Sequence, residues 1–173
     1  MLKWRDIEKT HSEITWTIGS PVPGVVIIDV TVGSERVPVP LHWRAGTWRK
    51  PPLDIILDDR GRLVAMQFVL QDERMEIRDG TRHVEPEIGV PRFDVSSWAT
   101  DRYRDEQVPV VALRAVTGEL VIRIGDEQPL SRACEPSPGL VLAFGDDDGL
   151  ARIEIGPLTN DDWASIDTFS VGT

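Results

Sequence analysis

Short apolar runs with the two-residue period of β-strands are the feature that most constrains the fold of this chain. GVVIIDVTV at 24–32 is rich in β-branched residues, and EITWTI at 13–18 alternates apolar and polar positions. Similar runs, bounded by glycine, proline or aspartate, occupy 53–57, 62–70, 108–116, 119–124, 139–144 and 150–155. Short runs between such turn signals are typical of antiparallel hairpins. The pattern predicts an all-β fold of about ten or eleven mostly antiparallel strands.

Turn residues predict how several of these strands connect. An Asp79-Gly80 pair between ERMEIR at 73–78 and RHVEPEI at 82–88 indicates a hairpin with a tight type I′ turn. ERVPVPL at 35–41 carries two prolines on one face and predicts an edge strand, because proline cannot donate to a β-ladder. The proline-rich RKPPL and CEPSPG stretches are interpreted as turns or crossings between hairpins.

Two segments carry helical signals. SSWATDRYRDE at 96–106 begins with a serine cap and predicts two or three helical turns. TNDDWASID at 159–167 offers Thr159 or Asn160 as a cap, with two acidic residues in the first turn. Because neither segment has a sustained amphipathic period, the sequence predicts two short helical segments beside the strands.

The chain also resembles itself at a shift of 87 residues. LDIILDDRGRLVAMQF at 53–68 aligns with LVLAFGDDDGLARIEI at 140–155, so that apolar positions coincide. Trp98 aligns with Trp163 at a shift of 65, and one inserted hairpin in the first half explains the difference. A weaker match near a shift of 86 aligns GVVIIDVTV with VVALRAVTG. The sequence therefore predicts one domain over 1–173, with pseudo-repeated halves at about 20–105 and 106–173, as a sandwich or a partly open barrel.

Composition limits the classes of partner. The 29 acidic and 19 basic residues give a net charge of −10, which disfavours nucleic acid and favours a cationic partner. The lone Cys134 excludes an internal disulfide and a multi-cysteine metal site. No apolar run approaches the ~20 residues that span a bilayer, and the N-terminus does not resemble a signal peptide. We expect a soluble cytoplasmic protein without a membrane partner.

Most familiar catalytic patterns are missing from the sequence. GDDDG at 145–149 has calcium-loop residue types, but an EF-hand frame with Gly149 at its sixth position places Phe144 at the first and Ile155 at the twelfth. The stretch therefore predicts a hairpin turn. Neither a GxSxG elbow nor a phosphate-binding glycine loop occurs, and no histidine lies close to Cys134 in sequence.

The strongest candidate for recognition is LHWRAGTWRKPP at 41–52, where basic and aromatic residues reverse the local charge. Tryptophan and arginine contribute most to interface energies, so a binding site is predicted at the six residues His42, Trp43, Arg44, Trp48, Arg49 and Lys50. The alternative is a long connection whose tryptophans fill the core and whose basic residues extend along the surface.

A weaker candidate is a metal site in RHVEPEI. His83, Glu85 and Glu87 alternate, so a continuous strand would place all three on one face, as zinc or iron ligands require. The solvent-facing side of an edge strand would give the same pattern.

These features lead to three functional hypotheses. The first is a non-catalytic acidic protein, without a cofactor, that recognises a cationic protein, as an immunity protein or antitoxin recognises a basic toxin domain. One alternative is a β-barrel that binds a small ligand or a metal, with or without enzymatic activity. The other is a structural subunit that forms a homodimer through its tryptophan-bearing segment.

Overall fold

The computed structural model describes residues 1–22, 24–34, 37–47, 50–71, 75–78, 84–98 and 101–170. These residues form fifteen strands, one 3₁₀ turn and one helix. The elements before the 3₁₀ turn are β1 (Trp4–Glu8), β2 (Ile14–Val22), β3 (Val25–Val32), β4 (Leu41–Thr47), β5 (Lys50–Leu57), β6 (Leu63–Gln71), β7 (Glu76–Arg78), β8 (Glu87–Ile88) and β9 (Val90–Phe93). The 3₁₀ turn (Ser96–Trp98) precedes β10 (Tyr103–Glu106), β11 (Val110–Ala115), β12 (Leu120–Ile124), β13 (Leu130–Ser137), β14 (Leu140–Gly145), β15 (Leu150–Ile155) and α1 (Asn160–Ser170).

Two large sheets pack face to face as a sandwich. The six-stranded sheet has the order β10-β4-β5-β6-β3-β2, and the seven-stranded sheet has the order β7-β11-β12-β15-β14-β13-β8. Alternate side chains of both sheets point inward and join one buried apolar cluster, which includes Ile55, Phe68, Leu142 and Ile153. Because each strand buries every second residue, the alternation in the sequence sets which face meets the core. The predicted all-β class is confirmed.

The central hairpins of the two sheets pair in the same register. In β5–β6, Leu53 lies opposite Phe68, and in β14–β15, 87 residues later, Leu140 lies opposite Ile155. The pairing register of each hairpin shifts just before its last residue pair at the turn, and the two shifts lie at positions 87 residues apart. The strands β2–β6 and β11–β15 also follow the same order and connections in their sheets. Superposition of the halves about a twofold axis stays a prediction.

This topology corrects the weaker match near a shift of 86. That match aligns β3 with β11, whereas the structure pairs β3 with β6 and β12 with β15. By its place in the sheet, β3 therefore corresponds to β12. Two apolar strands of similar composition align by chance, so composition alone misassigned the pair.

The turns of the two central hairpins have matching backbone geometry. Gly61 and Asp148 both have a left-handed φ, at 81° and 62°. The Gly61 amide donates to the carbonyl of Asp58 at 3.1 Å, and the Asp148 amide donates to that of Gly145 at 3.0 Å. In the second turn, the Asp147 carboxylate accepts from the Gly149 amide at 2.9 Å. GDDDG is therefore the hairpin turn that the sequence predicts.

A two-stranded ribbon of β1 and β9 contacts both turns. The Phe93 amide donates to the Gly61 carbonyl, and the Trp4 amide donates to the Asp148 carbonyl, each at 2.8 Å. Trp4 and Phe93 are themselves paired across the ribbon. The ribbon thus connects one central hairpin of the sandwich to the other.

The predicted hairpin between ERMEIR and RHVEPEI stays a prediction, because residues 79–83, which hold its turn and the start of its second strand, lie outside the described part of the chain. β7 pairs in parallel with β11, and β8 pairs in parallel with β13, so the two strands lie at opposite edges of the seven-stranded sheet. The Asp79-Gly80 pair lies outside the described residues.

Several boundaries also differ from the predictions. Of the predicted edge strand at 35–41, the described residues 37–40 are not strand, and β4 begins at Leu41. Both proline-rich stretches contribute to strands, in β5 and β13, and the predicted helix at 96–106 is a 3₁₀ turn followed by β10. The helix at 159–167 is confirmed as α1, where the Thr159 hydroxyl accepts from the Asp162 amide. In the described part of the chain, no helix has the length and apolar character of a membrane span.

We predict that Gly61→Ala destabilises the fold more than Gly33→Ala. Both glycines have a φ near +80°, which costs an L-residue roughly 1–2 kcal/mol. A Cβ on Gly61 would lie 2.2 Å from the Phe93 carbonyl oxygen, whereas one on Gly33 would meet nothing closer than 3.9 Å. Urea denaturation should show an additional loss of at least about 1 kcal/mol for Gly61→Ala. Equal losses would contradict the role of this contact.

Candidate functional site

The predicted recognition segment is a strand rather than a connection. His42, Trp43 and Arg44 lie in β4, which pairs with β5 on one side and with β10 on the other. Trp48 and Arg49 lie outside the described residues, and Lys50 begins β5, its side chain also outside the description. The structure therefore locates three of the six predicted side chains.

Strand alternation divides these three side chains between two faces. Trp43 points inward and is completely buried, and its indole nitrogen donates to Glu106 Oε2 at 2.8 Å. His42 and Arg44 point to the outer face of the six-stranded sheet. In this conformation Trp43 belongs to the core, so among the three described side chains His42 and Arg44 are the ones that a partner can reach.

His42 and Arg44 belong to a compact outer surface, here called the Tyr103 patch. Its members are His42, Arg44, Asp54, Tyr103 and Asp105. Parallel pairing aligns β10 with β4, so Tyr103 lies beside His42 and Asp105 lies beside Arg44. The patch therefore joins residues that are about 60 positions apart in the chain.

Ring contacts and ion pairs fix the side chains of the Tyr103 patch. The rings of His42 and Tyr103 stack with centroids 4.8 Å apart and an interplanar angle of 16°. The Arg44 guanidinium lies 5.0 Å from the Tyr103 ring centroid and binds both carboxylate oxygens of Asp105, at 2.7 and 3.0 Å. His42 Nδ1 lies 3.0 Å from Asp54 Oδ2. Tyr103 is nevertheless 58% exposed.

Two charged groups of the Tyr103 patch, Asp54 and Arg44, have shifted pKa values. Desolvation raises the pKa of Asp54, although the bond to His42 and the nearby Arg44 act in the opposite direction. The hydrogen bond to Asp105 raises the pKa of Arg44. Arg44 is therefore a fixed cation, whereas Asp54 carries a charge that the fold partly disfavours.

His42 and Asp54 alone do not constitute a nucleophilic site. Among the described residues, Asp54 is the side chain that hydrogen-bonds His42, and no hydroxyl or thiol completes a triad there. Cys134 is completely buried in β13, and burial raises the pKa of its thiol. Within the described part of the chain, the arrangement suits recognition better than covalent catalysis.

The weaker metal candidates are not brought together by a long strand. His83 lies outside the described residues, Glu85 precedes β8, and Glu87 is its first residue. Both glutamates are exposed. The described residues contain no group of three or more histidine, cysteine or acidic side chains placed to hold a metal ion. The metal site stays a prediction that this part of the structure does not support.

Sequence reasoning missed Asp54, Tyr103 and Asp105. The predicted helix at 96–106 obscured β10, in which Tyr103 and Asp105 alternate toward one face. The four-residue run YRDE carries no apolar alternation, so it gave no strand signal of its own.

Comparison with other proteins adds no identification. No protein-family model matches the chain, and no curated protein matches it. The arrangement of the chain's own residues therefore carries the functional assignment.

We predict that Asp54→Asn becomes more stable, relative to the natural protein, as the pH rises. A carboxyl whose pKa is raised in the folded state stabilises the fold only while protonated, and this stability is lost as the pH rises through the folded pKa. Asparagine keeps the shape and does not ionise. Urea denaturation from about pH 4 to pH 7 should show a growing difference in favour of the variant.

Asp59→Asn is the matched control, because it makes the same change in net charge at an exposed turn. If the difference in unfolding free energy between Asp54→Asn and the natural protein stays constant or shrinks as the pH rises, the pKa of Asp54 is not raised by desolvation.

Proposed function

We propose that the protein is a non-catalytic binding protein that recognises a cationic protein through the Tyr103 patch. The observation that carries this proposal is the exposed Tyr103 ring, held in place by the His42 stack and by Arg44. Tyrosine and arginine are enriched among the residues that dominate interface energies. An immunity protein that neutralises a basic toxin domain is one member of this class.

Pre-organisation supports this proposal. Ordering a free side chain at an interface costs roughly 0.5–1.5 kcal/mol. Tyr103 and Arg44 are already held by neighbouring groups before any partner arrives. A partner that covers the Tyr103 patch therefore gains aromatic contact area at little entropic cost.

The position of β10 offers a second mode of contact. Among the described strands, β10 pairs only with β4 and forms the edge of the six-stranded sheet. The free side of an edge strand presents unpaired backbone groups, to which a partner strand can add. Side-chain contacts to Tyr103 and backbone contacts to β10 would lie side by side.

Electrostatics favours a cationic partner. The net charge of −10 attracts a basic protein over long range and raises its association rate. Within the patch, Asp54 and Asp105 provide carboxylates close to the exposed ring. This long-range attraction is screened by salt, so the association rate should depend on ionic strength.

The test is affinity capture at low salt with three immobilised proteins: the natural chain, Tyr103→Ala and Val116→Ala. Val116 is 67% exposed at the other sheet and is the matched control. We expect a basic protein to be retained by the natural chain and by Val116→Ala. Loss of a central aromatic costs about 2 kcal/mol, so Tyr103→Ala should bind that protein about 30-fold more weakly.

Binding kinetics of the captured protein complete the test. The association rate should fall steeply between low and physiological salt. Equal affinity of Tyr103→Ala and Val116→Ala, or an association rate independent of salt, would refute recognition through the Tyr103 patch.

A further inference from the structure

The outer face of the seven-stranded sheet differs in chemistry from that of the six-stranded sheet. Asp54 and Gln67 form a polar outer pair in β5–β6, and the matching pair in β14–β15 is Val141 and Glu154. The outer side chains around that pair include Val121, Ala133 and Ala143, which are small or apolar and almost fully buried, and the arginines Arg123 and Arg152. Apolar positions on an outer sheet face are usually covered, and here Val84, Val111 and Leu130 pack against them.

Part of this face forms a cleft with a cavity of about 210 Å³. Its apolar lining comes from β11, β12 and β15, and the segment 126–130 forms one wall. The charged residues of the lining are Arg78, Arg114, Arg123, Arg152, Asp126 and Glu127. The cleft therefore gathers four arginines, and each of them has an acidic neighbour.

Two of these arginines lie directly opposite each other. Arg123 of β12 pairs with Arg152 of β15 in the antiparallel ladder, and both side chains are mostly buried. Like charges in directly opposite positions destabilise a sheet. The corresponding first-half position of Arg152 is Ala65, so the repeated frame does not require this pair.

Arg123 is the least compensated cation of the cleft. Arg152 Nε lies 2.9 Å from Glu154 Oε1, whereas the carboxylate of Glu127 lies 3.9 Å from Arg123 Nη1 and is 81% exposed. The buried Nε atoms of Arg123 and Arg152 both lack a hydrogen-bond acceptor among the described residues, so the two arginines differ in the distance to their carboxylate.

The other two arginines are engaged elsewhere. The Arg78 guanidinium is held by Glu76, at 2.8 and 2.9 Å. The Arg114 guanidinium lies 4.2 Å from the Trp163 ring and 3.5 Å from Asp167, both on α1. Arg123 is therefore the group in the cleft that is available for an anion.

We propose that the cleft binds a small organic monoanion, a carboxylate on an apolar body, with Arg123 as the main anion-binding residue. The guanidinium fork matches a carboxylate bidentately, and Val121 and Leu113 provide apolar contact for the body of the ligand. Asp126 and Glu127 in the lining disfavour a multiply charged ligand. This site is independent of the Tyr103 patch, which lies on the other sheet.

The experiment is an amide NMR titration of the full chain with benzoate and with benzamide, a neutral molecule of the same shape. Benzoate should shift amides of β11, β12 and β15 around the cleft, with an affinity at least ~10-fold higher than that of benzamide, as expected for one charge-assisted hydrogen-bonded pair. Equal affinities, no binding of benzoate, or shifts that map to another surface would overturn the proposal.

Variants separate the role of Arg123 from that of overall charge. Arg123→Gln should weaken benzoate binding at least ~10-fold. Arg123→Lys keeps the charge without the guanidinium fork, so its affinity for benzoate should lie between those of the natural chain and Arg123→Gln. Arg5→Gln, an exposed residue of β1, makes the same change in net charge and should bind benzoate as the natural chain does. If Arg5→Gln is as weak as Arg123→Gln, the proposal fails. Should Arg123→Gln not fold, Arg123→Lys and the benzoate-to-benzamide ratio decide the question.

Discussion

Two backbone hydrogen bonds, from Phe93 to Gly61 and from Trp4 to Asp148, connect the turn of each central hairpin to the β1–β9 ribbon. The rest of the sandwich depends on them because the central hairpins supply much of the shared core. Each accepting carbonyl belongs to a residue with left-handed φ. The left-handed conformation of the turn therefore directs the carbonyl toward the ribbon, and the hydrogen bond to the ribbon stabilises that conformation. Aromatic packing adds to this junction, where the Phe144 ring lies 4.9 Å from Trp4 and 6.0 Å from Phe93.

The two sheets share a frame but differ on their outer faces. Inward positions of the matching hairpins are apolar in both halves, because both fill one core. Outward positions are free of that constraint. On one sheet they form the polar Tyr103 patch, and on the other they form the apolar cleft with its arginine pair. Each candidate site therefore lies where the halves are unlike.

Sequence reasoning succeeded where structure is local. Strand alternation and turn residues predicted β5–β6, β11–β12 and β14–β15, since a hairpin needs only neighbouring segments. It did not predict the parallel pairing of β7, β8 and β10, each of which joins a strand distant in sequence. For the same reason, only part of the candidate site was predicted. His42 and Arg44 were predicted from composition, whereas Tyr103 joins them only through the pairing of β10. Composition grouped Trp43 with these residues because it does not show the direction of a side chain. The inward direction of Trp43 follows from β4 being a strand.

The two proposed ligands have opposite charges, and salt should affect their binding in opposite ways. A net charge of −10 attracts a cationic protein and repels a small anion over long range. At physiological ionic strength the screening length is about 8 Å, so added salt weakens both effects. The short-range bond between a carboxylate and the largely buried Arg123 is screened much less than the long-range field. An acidic protein can therefore hold an anion in the cleft, because contact groups rather than net charge determine affinity at that distance.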